Sequence, residues 1–335
     1  MAELGRRLLR SAVIHEWAVG LARIPVEDWV AAAVRDGAPP DVPITWFAKP
    51  GVGRFVADPM LFVAGGEVLV AYEMFDPNQG RGSIGVGAVR RGAIRHMGTT
   101  IDDPAVHLAY PFVFEVDGEL YCVPDRAPAE GMLAWRIGSA TSWEPAGPLP
   151  GLPRLTDLTL HPLGDTWWAV GTTVVDGQES LHVFHSSHPF ATWAACSAAP
   201  TPTGGLRRSA GPFVAVGDQL LRPSQNASNG YGTGLVLNQV RSLGPAGLEE
   251  VPVASLSARV EWPCPDGLHT LSGAAGWTVI DGFRRRRSWR APSQKIRARR
   301  ALRSRLAARS RRRLEEAADV GGQEVRPGGL PDLRL

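Results

Sequence analysis

Short apolar runs separated by tight turns set the pattern of this chain. Met60 to Val63 is apolar, Gly65-Gly66 is a turn, and Val68 to Tyr72 is a second apolar run rich in β-formers. The pattern predicts a β-hairpin. Asp58 stands before its first strand and Glu73 after its second. Antiparallel pairing brings both carboxylates to one end of the sheet.

The unit then repeats. Tyr110-Pro111-Phe112-Val113-Phe114 turns at Asp117-Gly118 and returns as Leu120-Tyr121-Cys122-Val123, with Asp125 as far from Pro111 as Glu73 is from Pro59. A third copy opens at Asp157-Leu158-Thr159-Leu160 and returns as Trp167 to Val170. A fourth opens at Gly211-Pro212-Phe213-Val214 and returns as Leu220-Leu221-Arg222, with Gln225 beyond. A weaker fifth spans Gly267 to Leu271 and Trp277 to Ile280. A period of roughly 50 residues is that of a propeller blade of four short strands. The predicted fold is all-β, a five-bladed β-propeller over residues 44–282. A short helical lead covers 1–43, and a basic tail, disordered or helical, covers 283–335. Within the lead, Ser11 to Val34 reads as a short strand or helix followed by an amphipathic helix around Val26 to Val34. Ile44 to Phe47 is the candidate strand for closing the ring.

Composition agrees with that pattern: 38 glycines and 28 prolines suit a protein of many turns. The three cysteines, Cys122, Cys196 and Cys264, have no CxxC spacing and are expected as reduced thiols. Met1 to Arg10 is basic without a following apolar region, and no run approaches ~18 apolar residues. These features predict a cytoplasmic protein without a secretory signal. Charge changes the picture more. Arg284 to Arg313 holds about fifteen basic residues and no acid, so the net charge of +3 hides a body near −12. Leu302 and Leu306 lie at helical spacing in that run, with Ile296 and Leu314 on the same side. Repulsion among the arginines predicts disorder until an anionic surface neutralises them. An anionic membrane is the preferred partner, ahead of nucleic acid and of the acidic body itself.

Two motifs invite chemistry and lose to plainer readings. Gly80, Gly82 and Gly85 match GxGxxG, but Val86-Gly87-Ala88-Val89 continues as strand where a dinucleotide loop needs a helix. His182 and His185 are an odd number apart, so a strand points them to opposite faces, and His188 alone does not complete a zinc site. No cofactor or metal is expected.

Asp58, Tyr110, Asp157 and Gly211 occupy one equivalent place in successive repeats, and Glu73, Asp125 and Gln225 occupy another. His107 precedes the second copy and Arg222 lies in the fourth. At the mouth of a propeller channel these residues form a ring of acids with a few bases and amides. Such a ring would hydrogen-bond several sugar hydroxyls, or supply the carboxyl pair of glycoside chemistry. A lone Asp before a strand would be a turn-capper; repetition in register favours a site.

Phe55-Val56-Ala57-Asp58-Pro59, His107 to Phe114, Val123-Pro124-Asp125, Ser209-Ala210-Gly211-Pro212 and Arg222-Pro223-Ser224-Gln225 together resemble the N-terminal-domain family of glucosamine inositolphosphorylceramide transferases, over about Ile14 to Asp281. The resemblance implies a five-bladed propeller similar to those of arabinanases, β-xylosidases and invertases. Those hydrolases carry an Asp in blade one, an Asp in blade three and a Glu in blade four. By that analogy Asp58 would be base or nucleophile and Asp157 would orient the sugar. Blade four offers Ser209-Ala210-Gly211 where an acid is wanted, which moves the proton donor to Glu73 or Asp125. His107, Tyr110, Arg222 and Gln225 would bind substrate. Asp125 also stands where the family leads one to expect Glu. Two readings stay open: a carbohydrate-active enzyme, hydrolytic or transglycosylating, and a non-catalytic glycan- or nucleotide-sugar-binding module that serves a separate glycosyltransferase. A protein-interaction propeller needs no polar mouth.

Overall fold

The computed structural model describes residues 13–47, 54–175, 178–197 and 208–287. The chain opens with β1 (Val13–Ala22), α1 (Val26–Asp36) and β2 (Ile44–Phe47). Blade one follows as β3 (Phe55–Ala64), β4 (Glu67–Asp76), β5 (Arg81–Arg90) and β6 (Ala93–Ile101). Blade two is β7 (His107–Val116), β8 (Glu119–Ala127), β9 (Leu133–Ile137) and β10 (Trp143–Pro148). Blade three is β11 (Thr156–Leu163), β12 (Thr166–Val175), β13 (Gln178–Ser186) and β14 (Ala194–Ala195). Blade four is β15 (Val214–Val216), β16 (Gln219–Asn226), β17 (Gly234–Gly244) and β18 (Gly247–Leu256). The last two strands among the described residues are β19 (Leu271–Ala274) and β20 (Trp277–Arg287). The sheets are five, each of four antiparallel strands, and the fold is a five-bladed β-propeller.

The fifth blade joins the two ends of the chain in the order β19-β20-β1-β2. Ile44–Phe47, the candidate strand for closing the ring, is its outermost strand. Val13–Ala22, expected in a lead outside the propeller, instead pairs as β1 with β20 along its whole length, from Val13↔Arg287 to Ala22↔Thr278. The reason lies in its residues: Trp17 to Ala22 are all buried, the continuous burial of a strand covered on both faces. β20 also runs past the expected boundary, so Arg284 to Arg287 are strand. Glu16 on β1 faces both Arg284 and Arg286, at 3.1 and 3.4 Å. The rest of the basic run lies outside the described residues.

Helix α1 forms where expected. Pro25 precedes its first turn, Glu27 and Asp28 stand near its N-terminus, and Gly37 at φ 64° ends it by donating to Ala33 O. It buries Trp29, Val30 and Ala33 against apolar residues of blades four and five, among them Val214, Leu256, Leu271 and Ile280. No described helix is long and apolar enough to cross a membrane. The three cysteines are free. Gly82 and Gly85 lie inside β5, as the strand reading requires. His182 meets Thr173, and His188 meets Asp117.

Around the axis the first strands adjoin one another, β19 to β3 to β7 to β11. Leu271 N–H donates to Ala210 O, which links the fifth blade to the fourth. At one end of the first strands of blades one, two and three the pairing slips. Ala57 pairs Glu73 but Met60 pairs Ala71. The same shift falls between Ala109 and Phe112, and between Thr156 and Thr159. Each slip is a bulge with one extra residue, and bulges re-aim side chains.

Candidate functional site

The bulges fall on the residues that the repeat picked out. Asp58, Tyr110 and Asp157 have φ of 52°, 41° and 53°, and Gly211 has φ 129°. Left-handed backbone is costly for the first three and is held only where surrounding contacts fix it. Here the contacts cross from blade to blade. Asp58 N–H donates to Asp281 Oδ2 on blade five, 3.1 Å away. Tyr110 N–H on blade two donates to Asp58 Oδ2, 3.2 Å away. The Tyr110 hydroxyl accepts from Gly211 N–H at 2.8 Å and meets Thr159 Oγ1 at 3.0 Å. Tyr110 is thus a spoke between blades two, three and four, and burial raises the pKa of its phenol.

Asp58 sits beside a cation. His269 is stacked on Trp17 at 4.1 Å. Its Nδ1 lies 2.6 Å from Asp281 Oδ2, and its Nε2 lies 3.6 Å from Asp58 Oδ1. Burial alone would lower the imidazole pKa, but Asp281 and Asp58 outweigh it and bring it to about 9. His269 is therefore an imidazolium at neutral pH. Asp281 also accepts from the backbone N–H groups of His269 and Thr270, at 2.9 and 3.0 Å. Asp58 Oδ1 accepts from Thr270 Oγ1 at 3.0 Å. Burial raises the Asp58 pKa, while His269, Thr270 and the Tyr110 amide oppose the rise. Among the described residues, Asp58, His269 and Asp281 are the one set that could converge on a metal ion. Their donor atoms are already spent on one another, with the imidazolium serving as the cation.

Asp157 forms a second centre. Gln225 Nε2 donates to its Oδ2 at 3.0 Å and to Ser209 O at 3.1 Å. Arg208 Nη1 stands 3.8 Å from the same carboxylate oxygen, and its Nε donates to Glu179 Oε1 at 2.7 Å. Burial lifts the Asp157 pKa to about 7, with Arg208 opposing and Asp58 adding to the rise.

Glu73 differs from both. It is buried, and its Oε1 has no hydrogen-bond partner. Burial and the carboxylates of Asp58, Asp125, Asp281 and Asp157 hold its pKa well above the usual carboxyl range. The side chain fits because residue 82 is glycine: a Cβ there would lie 2.7 Å from Glu73 Oε1 and 2.2 Å from Leu108 O. Gly82 N–H donates to His107 Nδ1 at 2.8 Å, which leaves His107 Nε2 to carry the proton, 3.6 Å from Glu73 Oε1. Asp125 is likewise pushed well up, by burial and then by Asp157, with Arg208 opposing.

The structure brings Asp58, Glu73, Asp125, Asp157, Gln225, His107 and Tyr110 into one largely buried cluster. It does not bring Arg222 there. That guanidinium is fully buried and binds both oxygens of Glu250 on β18, from Nε at 2.8 Å and Nη2 at 2.5 Å. Position 222 is three residues from Gln225 in one strand, so the two face opposite sides. His269, Asp281, Arg208, Glu179, Trp17 and Tyr231 join the cluster without having stood out in the repeat pattern. Asp281 follows the apolar run Val279-Ile280 of the weakest repeat, which was the available signal. Trp17 belongs to a strand contributed from the other end of the chain.

A family model described as glucosamine inositolphosphorylceramide transferase 1, N-terminal, matches residues 48–262. The chain is similar to glucosamine inositolphosphorylceramide transferase 1 of Oryza sativa subsp. japonica, with 28% identity over 226 residues, 63% of this chain and 30% of that protein. It is 27% identical to the Arabidopsis thaliana protein of the same name over 213 residues, 60% of this chain and 27% of that one. The chain thus spans about a third of the length of these relatives. Among solved structures, a β-fructofuranosidase of Bombyx mori aligns with TM-score 0.52 and 12% identity, over 68% of this chain and 54% of that one. An exo-β-1,3-galactanase of Phanerochaete chrysosporium, crystallised with β-1,3-galactotriose, aligns with TM-score 0.50 and 11% identity, over 63% and 54%. At such identities the likeness is one of fold.

Proposed function

This chain belongs to the glucosamine inositolphosphorylceramide transferase N-terminal family, and from that premise we propose that it is a carbohydrate-active propeller whose site is the acid-lined mouth. The ligand is a glycan, or a sugar carried on a lipid or a nucleotide. One observation carries the reading: neighbouring carboxyl groups sit in opposed environments. Asp58 faces an imidazolium and accepts two hydrogen bonds. Glu73 Oε1 accepts none and is surrounded by acids. Burial raises both, but His269, Thr270 and the Tyr110 amide oppose the rise at Asp58 while further carboxylates add to it at Glu73, and a contrast of that kind divides a carboxyl pair into base and acid. Asp58 is the base or nucleophile, Asp157 orients the sugar, and Glu73, ahead of Asp125, gives the proton to the leaving oxygen.

A second reading is supported by blade four, where Ser209-Ala210-Gly211 supplies no carboxylate. In that reading the mouth binds a glycan or nucleotide sugar for a separate glycosyltransferase. The basic run beyond β20 would hold the protein at an anionic membrane face, where lipid-linked sugars lie.

The test uses nitrophenyl glycosides for turnover and calorimetry with glucosamine, galactose, fructose and nucleotide sugars for binding. An enzyme gives a bell-shaped pH profile; a module gives heat without turnover. In either case Asp58→Asn loses the signal while keeping a native melting curve. Signals equal to wild type in Asp58→Asn would sink the proposed site, and silence in both assays favours a protein-interaction propeller.

A further inference from the structure

Tyr231 stands out among the exposed side chains. Of the large apolar residues exposed in the described chain it is the only aromatic, with 51% of its surface open. It lies between Gly230 at φ 113° and Gly232 at φ 73°. A Cβ on Gly232 would come within 2.5 Å of the Trp17 ring, so any other residue there would push the turn off the site. Two glycines therefore let the loop bring an aromatic ring down onto the mouth. The ring is held from several sides. Its hydroxyl lies 3.1 Å from His269 Nε2. It meets the His269 ring edge to face at 5.3 Å and the Trp17 ring at 6.3 Å. The Arg208 guanidinium lies over it, 5.6 Å from the centroid, and Arg208 is itself fixed by Glu179.

Three features separate this arrangement from ordinary packing. An aromatic side chain that served only the core would be covered, and this one is half open. Its polar end points inward, into the group that contains Asp58 and Asp157; burial there, and then those two carboxylates, keep the phenol from ionising. His269 Nδ1 is committed to Asp281, so Nε2–H is the proton that faces the Tyr231 oxygen. With that oxygen accepting from His269, the phenol's own O–H is left to donate elsewhere in the mouth.

We infer that Tyr231 is the ligand-facing residue of this site: its open ring surface stacks against the apolar C–H face of a sugar, and its hydroxyl, held by His269, donates to a sugar oxygen. The inference rests on the carbohydrate reading of the mouth and adds to it a residue that selects for pyranose or furanose rings. Tyrosine suits the task because it joins a broad apolar face to one polar tip at little conformational cost. His269, fixed between Asp281 and Asp58, is a positioning residue for both Asp58 and Tyr231.

The experiment is calorimetry of the full chain with glucosamine, galactose and fructose, using wild type, Tyr231→Ala, Tyr231→Phe and Asp58→Asn, each checked by its melting curve. Tyr231→Ala is expected to weaken the sugar that binds wild type by tenfold or more. Tyr231→Phe, which keeps the ring, is expected to weaken it by severalfold only, and to flatten the dependence of affinity on pH between 7 and 10, where His269 titrates. Wild-type affinity in Tyr231→Ala, alongside lost binding in Asp58→Asn, would overturn the inference and leave the carbohydrate site standing. Equal losses in the Phe and Ala variants would overturn the stacking role. No heat with any sugar on wild type would overturn the carbohydrate reading and this inference together.

Discussion

A carboxyl whose oxygen has no donor, buried among other carboxyls, carries its own prediction. Glu73 has a raised pKa in the folded protein, by burial first and by Asp58, Asp125, Asp281 and Asp157 next. The folded state then binds more protons than the unfolded one above the unfolded pKa, so stability falls as pH rises through that window. Asp157, raised by burial to about 7, acts in the same direction between about pH 4 and 7. His269, near 9 because Asp281 and Asp58 overcome burial, contributes stability that is complete below its unfolded pKa and lost as pH rises through 9. Glu73→Gln keeps the shape of the protonated acid without the charge. It is predicted to melt with wild type at pH 5 and above it at pH 8, by roughly 2–4 °C for each kcal/mol of repulsion relieved. A scan of melting temperature against pH measures this, and a variant that melts below wild type at pH 8 would contradict it. Much of this centre was legible in the sequence. Asp58, Tyr110 and Asp157 fell in register because each copy of the repeat bends at the same bulge. His269 and Tyr231 were not legible, since their roles come from neighbours across the ring rather than from their own repeats. Arg222 was misplaced for a simpler reason: the offset to Gln225 is odd, and strand parity sends it to the other face.

At the scale of elements, the fifth blade is the seam on which the ring depends. It takes two strands from each end of the chain, and β1 forms ten residue pairs with β20 from Val13↔Arg287 to Ala22↔Thr278. The hairpins of blades one to four could be read from their turns because each is local. The fifth blade joins residues more than 250 positions apart, and no local pattern states which strand an isolated apolar run will meet. Helix α1 covers the junction of blades four and five, and Trp29 is 1% exposed there. Trp29→Ala is predicted to cost roughly 3–5 kcal/mol, by loss of transfer energy and the cavity left behind. Denaturant unfolding would detect it as a lowered midpoint with an unchanged slope. A loss below about 1 kcal/mol would mean that the helix does not clasp the seam.

At the scale of the whole molecule, charge is divided along the sequence between an acidic body and a basic C-terminal run. β20 ends at Arg287, and eleven further basic residues follow it in the sequence up to Arg313. Vesicle co-sedimentation is predicted to be strong with anionic lipid, weak with neutral lipid and reduced by salt. A chain ended at Arg287, with β20 intact, is predicted to lose it. Equal binding by both chains, or binding indifferent to salt, would contradict the tether. The composition made the charge contrast plain, whereas the strand pairing of Arg284 to Arg287 depended on β1 and Glu16.

The most direct test is a crystal structure of the full chain with a bound saccharide. Sugar is predicted at the mouth, with hydroxyls within hydrogen-bond reach of Asp58 and Asp157 and the ring against Tyr231. The separation of Asp58 and Glu73 in that complex would also give the stereochemical course, about 5–5.5 Å for retention and about 6.5–9.5 Å for inversion. Sugar bound elsewhere, for instance in the surface pocket between the Gly65 and Gly118 turns of blades one and two, with the mouth left empty, would contradict it.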